Sequence, residues 1–175
     1  HLTGLSNGNN IGVSILPWVL GTGQQANIVQ VDGAGGYNYG QGGPYEDADP
    51  ATGSGTQQRY LDIVSGSNDI YQSFTLASST TVTYSGAFST RENTSGQGSI
   101  SIRNGNGTSG TLVDGTGLQT INAYGDSEHS PWQHFDRTVI LAAGTYSYVV
   151  AMTDYVNFDE AKVRKACPDT DGDGV

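Results

Sequence analysis

Basic side chains are scarce in this 175-residue chain: seven Lys and Arg stand against seventeen Asp and Glu, for a formal net charge of −10. None occurs before Arg59. Binding to a phosphate backbone draws its strength from clustered Lys and Arg that release counterions, so nucleic acid and anionic membrane surfaces are not expected partners. Cysteine is limited to Cys167, so no internal disulfide can staple the fold and no thiol catalysis is expected. No apolar run is long enough for membrane insertion, and no leader pattern opens the sequence. A module excised from a longer mature protein is the expectation. G-x-S-x-G, H-E-x-x-H and a P-loop lysine are also missing, which removes the local signatures of a hydrolase elbow, a zinc protease and a nucleotide site.

Glycine and tyrosine are plentiful. The 26 glycines follow no Gly-X-Y period, which excludes collagen, and ten tyrosines outnumber four phenylalanines and two tryptophans. With abundant Ser and Thr, this composition suits short strands joined by many turns. Apolar residues make up only 35%, and no segment sustains a helical period with caps.

Strand signals begin at Ile11–Trp18, broken by Pro17, and at Ala26–Val31. The stretch 32–56 has almost no aliphatic side chain, but Tyr37, Tyr39 and Tyr45 favour an ordered, functional loop. Regular strands then follow at Gln58–Val64, Ile70–Leu76, Thr80–Arg91, Gly98–Arg103, Leu118–Tyr124, Gln133–Leu141, Thr145–Met152 and Val156–Val163. Period-two alternation puts Ile70, Gln72, Phe74 and Leu76 on one face. It likewise sets Val82, Tyr84 and Phe88 against Ser85, Ala87, Ser89 and Arg91. Turn-formers separate the strands, among them Asn104–Gly107 and Asp114-Gly115. Many short strands at this spacing predict an all-β sandwich or barrel. The expected division is one globular module over 1–164 and a tail over 165–175.

The tail reads Cys167-Pro-Asp-Thr-Asp-Gly-Asp-Gly-Val175. Asp169, Asp171 and Asp173 occupy positions 1, 3 and 5 of a tight loop with glycine at position 6, the oxygen-ligand spacing Ca²⁺ requires. No bidentate acid follows at position 12. The alternative is an acidic, solvated terminus. These nine residues resemble the start of a thrombospondin type 3 repeat. That resemblance implies a secreted or cell-surface protein in which the module partners other modules of the same longer chain.

Three phrases in the globular part carry a second resemblance: Asn68-Asp-Ile-Tyr-Gln-Ser-Phe-Thr-Leu76, Leu141-Ala-Ala-Gly-Thr-Tyr146 and Val156-Asn-Phe-Asp-Glu-Ala-Lys-Val163. They are similar to the galactose-binding-like modules, the carbohydrate-binding type attached to bacterial secreted enzymes and adhesins. The resemblance implies a two-sheet antiparallel jelly-roll β-sandwich, a structural Ca²⁺, and polysaccharide binding on loops or a concave face. Strand parity puts Asp159 on one face with Ala161 and Val163, and an inward carboxylate is costly unless paired or bound to a cation. The family implies Ca²⁺ there, with Asp32 a candidate second ligand. The alternative is a carboxylate that caps a turn.

Glycans bind by laying C–H faces on aromatic rings while polar side chains hold the hydroxyls. Trp132 is the leading candidate, because its loop is acidic and polar, with Asp126, Glu128 and His129 beside it. The alternative is a rim Trp that covers the end of the core. Arg91 and Arg103 each end a row of small hydroxyl residues, and would flank a polar trough if their strands are neighbours. A solvated sheet face is the alternative there. Tyr37, Tyr39 and Tyr45 form a third, looser set. Catalysis is not expected: the loop carboxylates show no paired spacing. Tyr124 with Arg137 is the loose pair that a jelly-roll polysaccharide lyase could use, and His129 with His134 the pair a metal could use. A spacer domain without a sugar pocket is the remaining alternative.

Overall fold

The computed structural model describes residues 8–9, 18–21, 27–31, 58–62, 66–90, 94–122 and 132–166. Among these residues every regular element is a strand, and no helix is long and apolar enough to cross a membrane. The front sheet runs β1 (Gly8–Asn9), β3 (Asn27–Val31), β4 (Gln58–Asp62), β12 (Val156–Lys165), β6 (Thr80–Thr90), β10 (Gln133–Leu141). The back sheet runs β2 (Val19–Leu20), β5 (Ser67–Leu76), β11 (Gly144–Thr153), β7 (Gly96–Asn104), β8 (Leu112–Gly115), and β9 (Gln119–Ile121) also pairs β7. Every pairing is antiparallel. From β5 to β7, and again from β10 to β12, each strand crosses to the other sheet. This is an antiparallel jelly-roll sandwich.

The alternation read from sequence produces the core. Ile70, Ile100, Ile102, Tyr148 and Val150 face inward from the back sheet, and Leu61, Val82, Tyr84, Phe88 and Phe158 from the front. Each such side chain contributes about 1.5–3 kcal/mol on burial. Tyr84 meets Tyr148 across the gap between the sheets at 5.9 Å between centroids, and Phe88 packs on its neighbour Phe158 of the same sheet at 5.2 Å. Two strand glycines make room for them: a Cβ on Gly98 would lie 2.7 Å from the Phe88 ring, and one on Gly86 2.6 Å from that of Phe158. The Tyr148 hydroxyl donates to the Ser85 carbonyl at 2.9 Å, a polar tie between the sheets.

A second tie closes the edge where β8 and β10 come together. Asp114 of β8 accepts the Tyr84 hydroxyl at 2.6 Å and two bonds from Arg137 of β10, Nε at 2.7 Å and Nη2 at 2.6 Å. Asp114-Gly115, expected to be a turn, is therefore part of a strand. Its acid turns inward because a tyrosine and an arginine from the opposite sheet satisfy it. Arg137 is committed to this cluster, and Tyr124 lies outside the described residues.

The inward expectation for Asp159 is not met. β12 carries a bulge between Asp159 and Lys162, with Glu160 at φ 56. Before the bulge Phe158 pairs Phe88 and points inward, so Asp159, paired with Ala87, points outward. After it Val163 pairs Tyr84. The extra residue resets the parity on which the expectation rested. Residues 11–17 and 32–57, the ends of the expected strands at Arg91 and 122–124, and the tail lie wholly or largely outside the described residues.

Candidate functional site

The outer face of the front sheet gathers the groups of interest, and β-sheet register places them. Trp132 stands just ahead of β10, whose Gln133 pairs Phe88, so its side belongs with Ser89 on the outer face. Tyr60 of β4 shares that face, since its neighbour Leu61 pairs the inward Phe158. The two rings meet edge to face, centroids 5.6 Å apart at 75°. Between their strands lie Ala87, Ser89 and Asn157, all outward by parity yet at most 1% exposed. Small side chains on the intervening strands leave room for rings above them. Asn157 Nδ2 is buried there with no hydrogen-bond partner among the described residues.

Further along the same face lies a shallow groove of about 240 Å³. Its floor is Thr83, Ser85 and Gly86 of β6. One wall is β10, with His134 opposite Ala87 and Asp136 opposite Ser85. The other is β12, with Lys162 opposite Ser85 and Arg164 opposite Thr83. The walls stand two strand spacings apart, roughly 10 Å, and the groove with its aromatic end runs roughly 20 Å along β6. The bulge adds Glu160 to the same side. Its carboxylate accepts Lys162 Nζ at 2.6 Å and lies 3.6 Å from His134 Nδ1. A non-glycine residue at positive φ costs of order 1 kcal/mol, and such bulges recur beside functional sites.

Of the residues singled out from sequence, Trp132 falls on this face and is partly exposed. Asp126, Glu128 and His129, just before it, lie outside the described residues, as do Tyr37, Tyr39, Tyr45 and Arg91. The condition for a trough shared by Arg91 and Arg103, neighbouring strands, is not met. β6 and β7 belong to different sheets, so the Ser85 row and the Ser99–Ser101 row face opposite sides of the sandwich. Arg103 is built into the loop after β7, its Nη1 donating to the Gly110 carbonyl at 3.0 Å. Nearby Asp69 is pushed above the ordinary carboxylate range by burial, against the pull of the Arg103 charge.

Sequence reasoning missed Tyr60, although an aromatic on the parity opposite Leu61 was the available signal. It also left His134, Asp136, Glu160, Lys162 and Arg164 unassigned as a group, since they come together only through pairing of distant strands. His134 belongs to β10, not to a loop. Among the described residues no set of three or more His, Cys, Asp or Glu gathers to hold a metal, at Asp159 or elsewhere. Asp32, Asp169, Asp171 and Asp173 lie outside those residues. A second cleft, about 250 Å³, opens between the sheets beside Trp18, Phe74 and Tyr148. Its lining is mostly core side chains.

No family model matches the sequence, and no curated protein matches it. Among solved structures the chain is similar to a family 61 carbohydrate-binding module, TmCBM61, in complex with β-1,4-galactotriose. The identity is 10%, the alignment covers 86% of this chain and 89% of that one, and the TM-score is 0.49. It is similar as well to the C-terminal family 22 carbohydrate-binding module of Clostridium thermocellum Xyn10B, at 19% identity over 90% of this chain and 92% of that one, TM-score 0.49. A cycloisomaltooligosaccharide glucanotransferase from Paenibacillus aligns at 13% identity over 63% of this chain but 15% of its own length, TM-score 0.41.

Proposed function

We propose that this chain is a non-catalytic carbohydrate-binding module, and that the outer face of its front sheet is the binding surface. The observation that carries the reading is the Trp132–Tyr60 pair on the same face as a groove walled by His134, Asp136, Glu160, Lys162 and Arg164. An aromatic ring takes the C–H face of a sugar, and planar polar groups along the walls take its hydroxyls. Asp126, Glu128 and His129 extend the same site from the loop before Trp132, and Tyr37, Tyr39 and Tyr45 are further candidates to border it. The site is shallow, so affinity is expected in the millimolar to micromolar range, about 4–8 kcal/mol, and firm retention on a polymer would need several modules on one chain.

Catalysis has little support in the groove. Asp136 is exposed, whereas a general acid needs shelter that raises its pKa. Arg137, the cation a lyase would need free, is held by two hydrogen bonds to Asp114. In the longer protein, the proposed setting is the cell surface or the extracellular space. The proposed calcium site is the tail loop of Asp169, Asp171 and Asp173, on the strength of its ligand spacing. For a calcium ion at Asp159, Asp32, outside the described residues, is a candidate second ligand.

Affinity electrophoresis against a panel of plant and microbial polysaccharides tests the reading. Trp132→Ala is expected to weaken retention about tenfold, the ~1.4 kcal/mol of one aromatic contact, and Trp132→Phe to keep most of it. Circular dichroism confirms that the variants fold. Failure of the native chain to bind any glycan, or unchanged retention by Trp132→Ala, sinks the assignment.

A further inference from the structure

The groove's charges are not spread evenly along it. At the Ser85 level Asp136 stands across from Lys162, whose ammonium is already engaged by Glu160. One step further from Trp132, at the Thr83 level, Arg164 stands across from Thr138. The Thr83 and Thr138 hydroxyls lie 3.3 Å apart beside it. Arg164 is exposed to the groove and makes no hydrogen bond or ion pair among the described residues. Among the described residues no acid shares its level. The aromatic end therefore presents a ring, the middle presents compensated charges, and the far end presents a guanidinium without an acid beside it among the described residues, flanked by two threonine hydroxyls.

That end is dominated by a cation that can only donate, which fits an anionic acceptor better than a neutral diol. A guanidinium meets a carboxylate or a sulfate with two parallel N–H bonds in its own plane. Resting on the reading of this face as a glycan site, we infer that the groove selects polysaccharides bearing an acidic substituent. A uronate carboxylate or a sulfate binds Arg164 while a sugar ring further along the chain stacks on Trp132. The overall charge of −10 opposes any polyanion at long range, but at 0.15 M salt that repulsion is screened beyond about 8 Å while a direct contact persists. Selection is thus local, made at one end of the groove.

The test uses affinity electrophoresis at 0.15 M salt on polymers that differ in acidic groups: unsubstituted against glucuronate-substituted xylan, galactan against polygalacturonate, and chondroitin against chondroitin sulfate. The native chain is expected to prefer the more acidic member of at least one pair. Arg164→Gln should cut that preference about fivefold, as an exposed but bidentate contact would, while retention on the less acidic member stays unchanged. Arg164→Lys, with charge but no fork, should fall between. A preference confined to the first two pairs identifies carboxylate as the ligand group, and one confined to the third identifies sulfate. If the native chain shows no preference, or Arg164→Gln weakens both members alike, the inference fails. In that case loss of all retention in Trp132→Ala would still uphold the glycan site. If the native chain binds no polymer, both fall together.

Discussion

Replacing Asp114 with alanine should destabilise the sandwich by about 2 kcal/mol, mainly through Tyr84. That tyrosine is fully buried and gives its hydroxyl to Asp114 at 2.6 Å. Without the acceptor, a buried donor is left unmade, at about 1–3 kcal/mol. Arg137 lies at the open edge and can turn to water, so its share is small. For a chain of this size ~2 kcal/mol lowers the melting temperature by roughly 4–8 °C. Tyr84→Phe removes the stranded donor, so Asp114→Ala should cost much less in that background, and the double-mutant cycle isolates the bond. The pH dependence follows from the Asp114 carboxyl, which the Arg137 hydrogen bonds, and then that of Tyr84, hold below its ordinary value of 3.8 against the opposing effect of burial. A depressed folded-state value stabilises above the ordinary one and loses that stabilisation as pH falls through the depressed one. The advantage of the native chain over Asp114→Asn should therefore be intact above pH 3.8 and shrink as acid is added. Tyr84 works in the opposite direction. Burial and Asp114 raise it above the ordinary 10.0, so stability should decline as pH rises past that value. Differential scanning calorimetry across both ranges reads these shifts. A loss in Asp114→Ala no larger than the ~0.5 kcal/mol of an ordinary surface change would refute the reasoning.

Gly98→Ala should cost about 1–3 kcal/mol by overpacking, since its Cβ would meet the Phe88 ring at 2.7 Å; thermal unfolding measures this, and Phe88→Leu in the same chain should recover part of it. Calcium is tested by chelation with melting read out on the full chain and on one ending at residue 166. A calcium ion bound to the folded state stabilises it by mass action, so a fall in melting temperature in the shortened chain places the ion in the sandwich. An unchanged value there removes Asp159 and Asp32 as ligands and leaves the tail loop, whose own binding calorimetry on the full chain reads directly.

Much of the fold was legible because a strand's alternation is a local property. The inward row Ile70, Phe74 and Leu76 and the inward pair Ile100 and Ile102 follow from period two, and the structure packs them as expected. Trp132 was legible for a related reason: a large ring set in a polar, acidic loop is out of place unless it covers or binds something. The rest of the site was not legible in this way. Asp136 meets the Lys162 level only because β10 and β12 both pair β6, and nothing near either residue in sequence says so. Asp114 looked like a turn residue because its partners, Tyr84 and Arg137, come from the opposite sheet.

By itself the sequence determined which segments extend, which of their residues are apolar on one side, and that no disulfide can form within these 175 residues. Those outcomes depend on neighbours one or two residues away and on composition. Tertiary structure alone decided which sheet each strand joins, and so that the Ser85–Ser89 row and the Ser99–Ser101 row face apart. It also decided the bulge at Glu160, which turned Asp159 outward and set a carboxylate beside Lys162. The physical reason is that register is fixed between strands distant in sequence, and one inserted residue reverses every side chain beyond it.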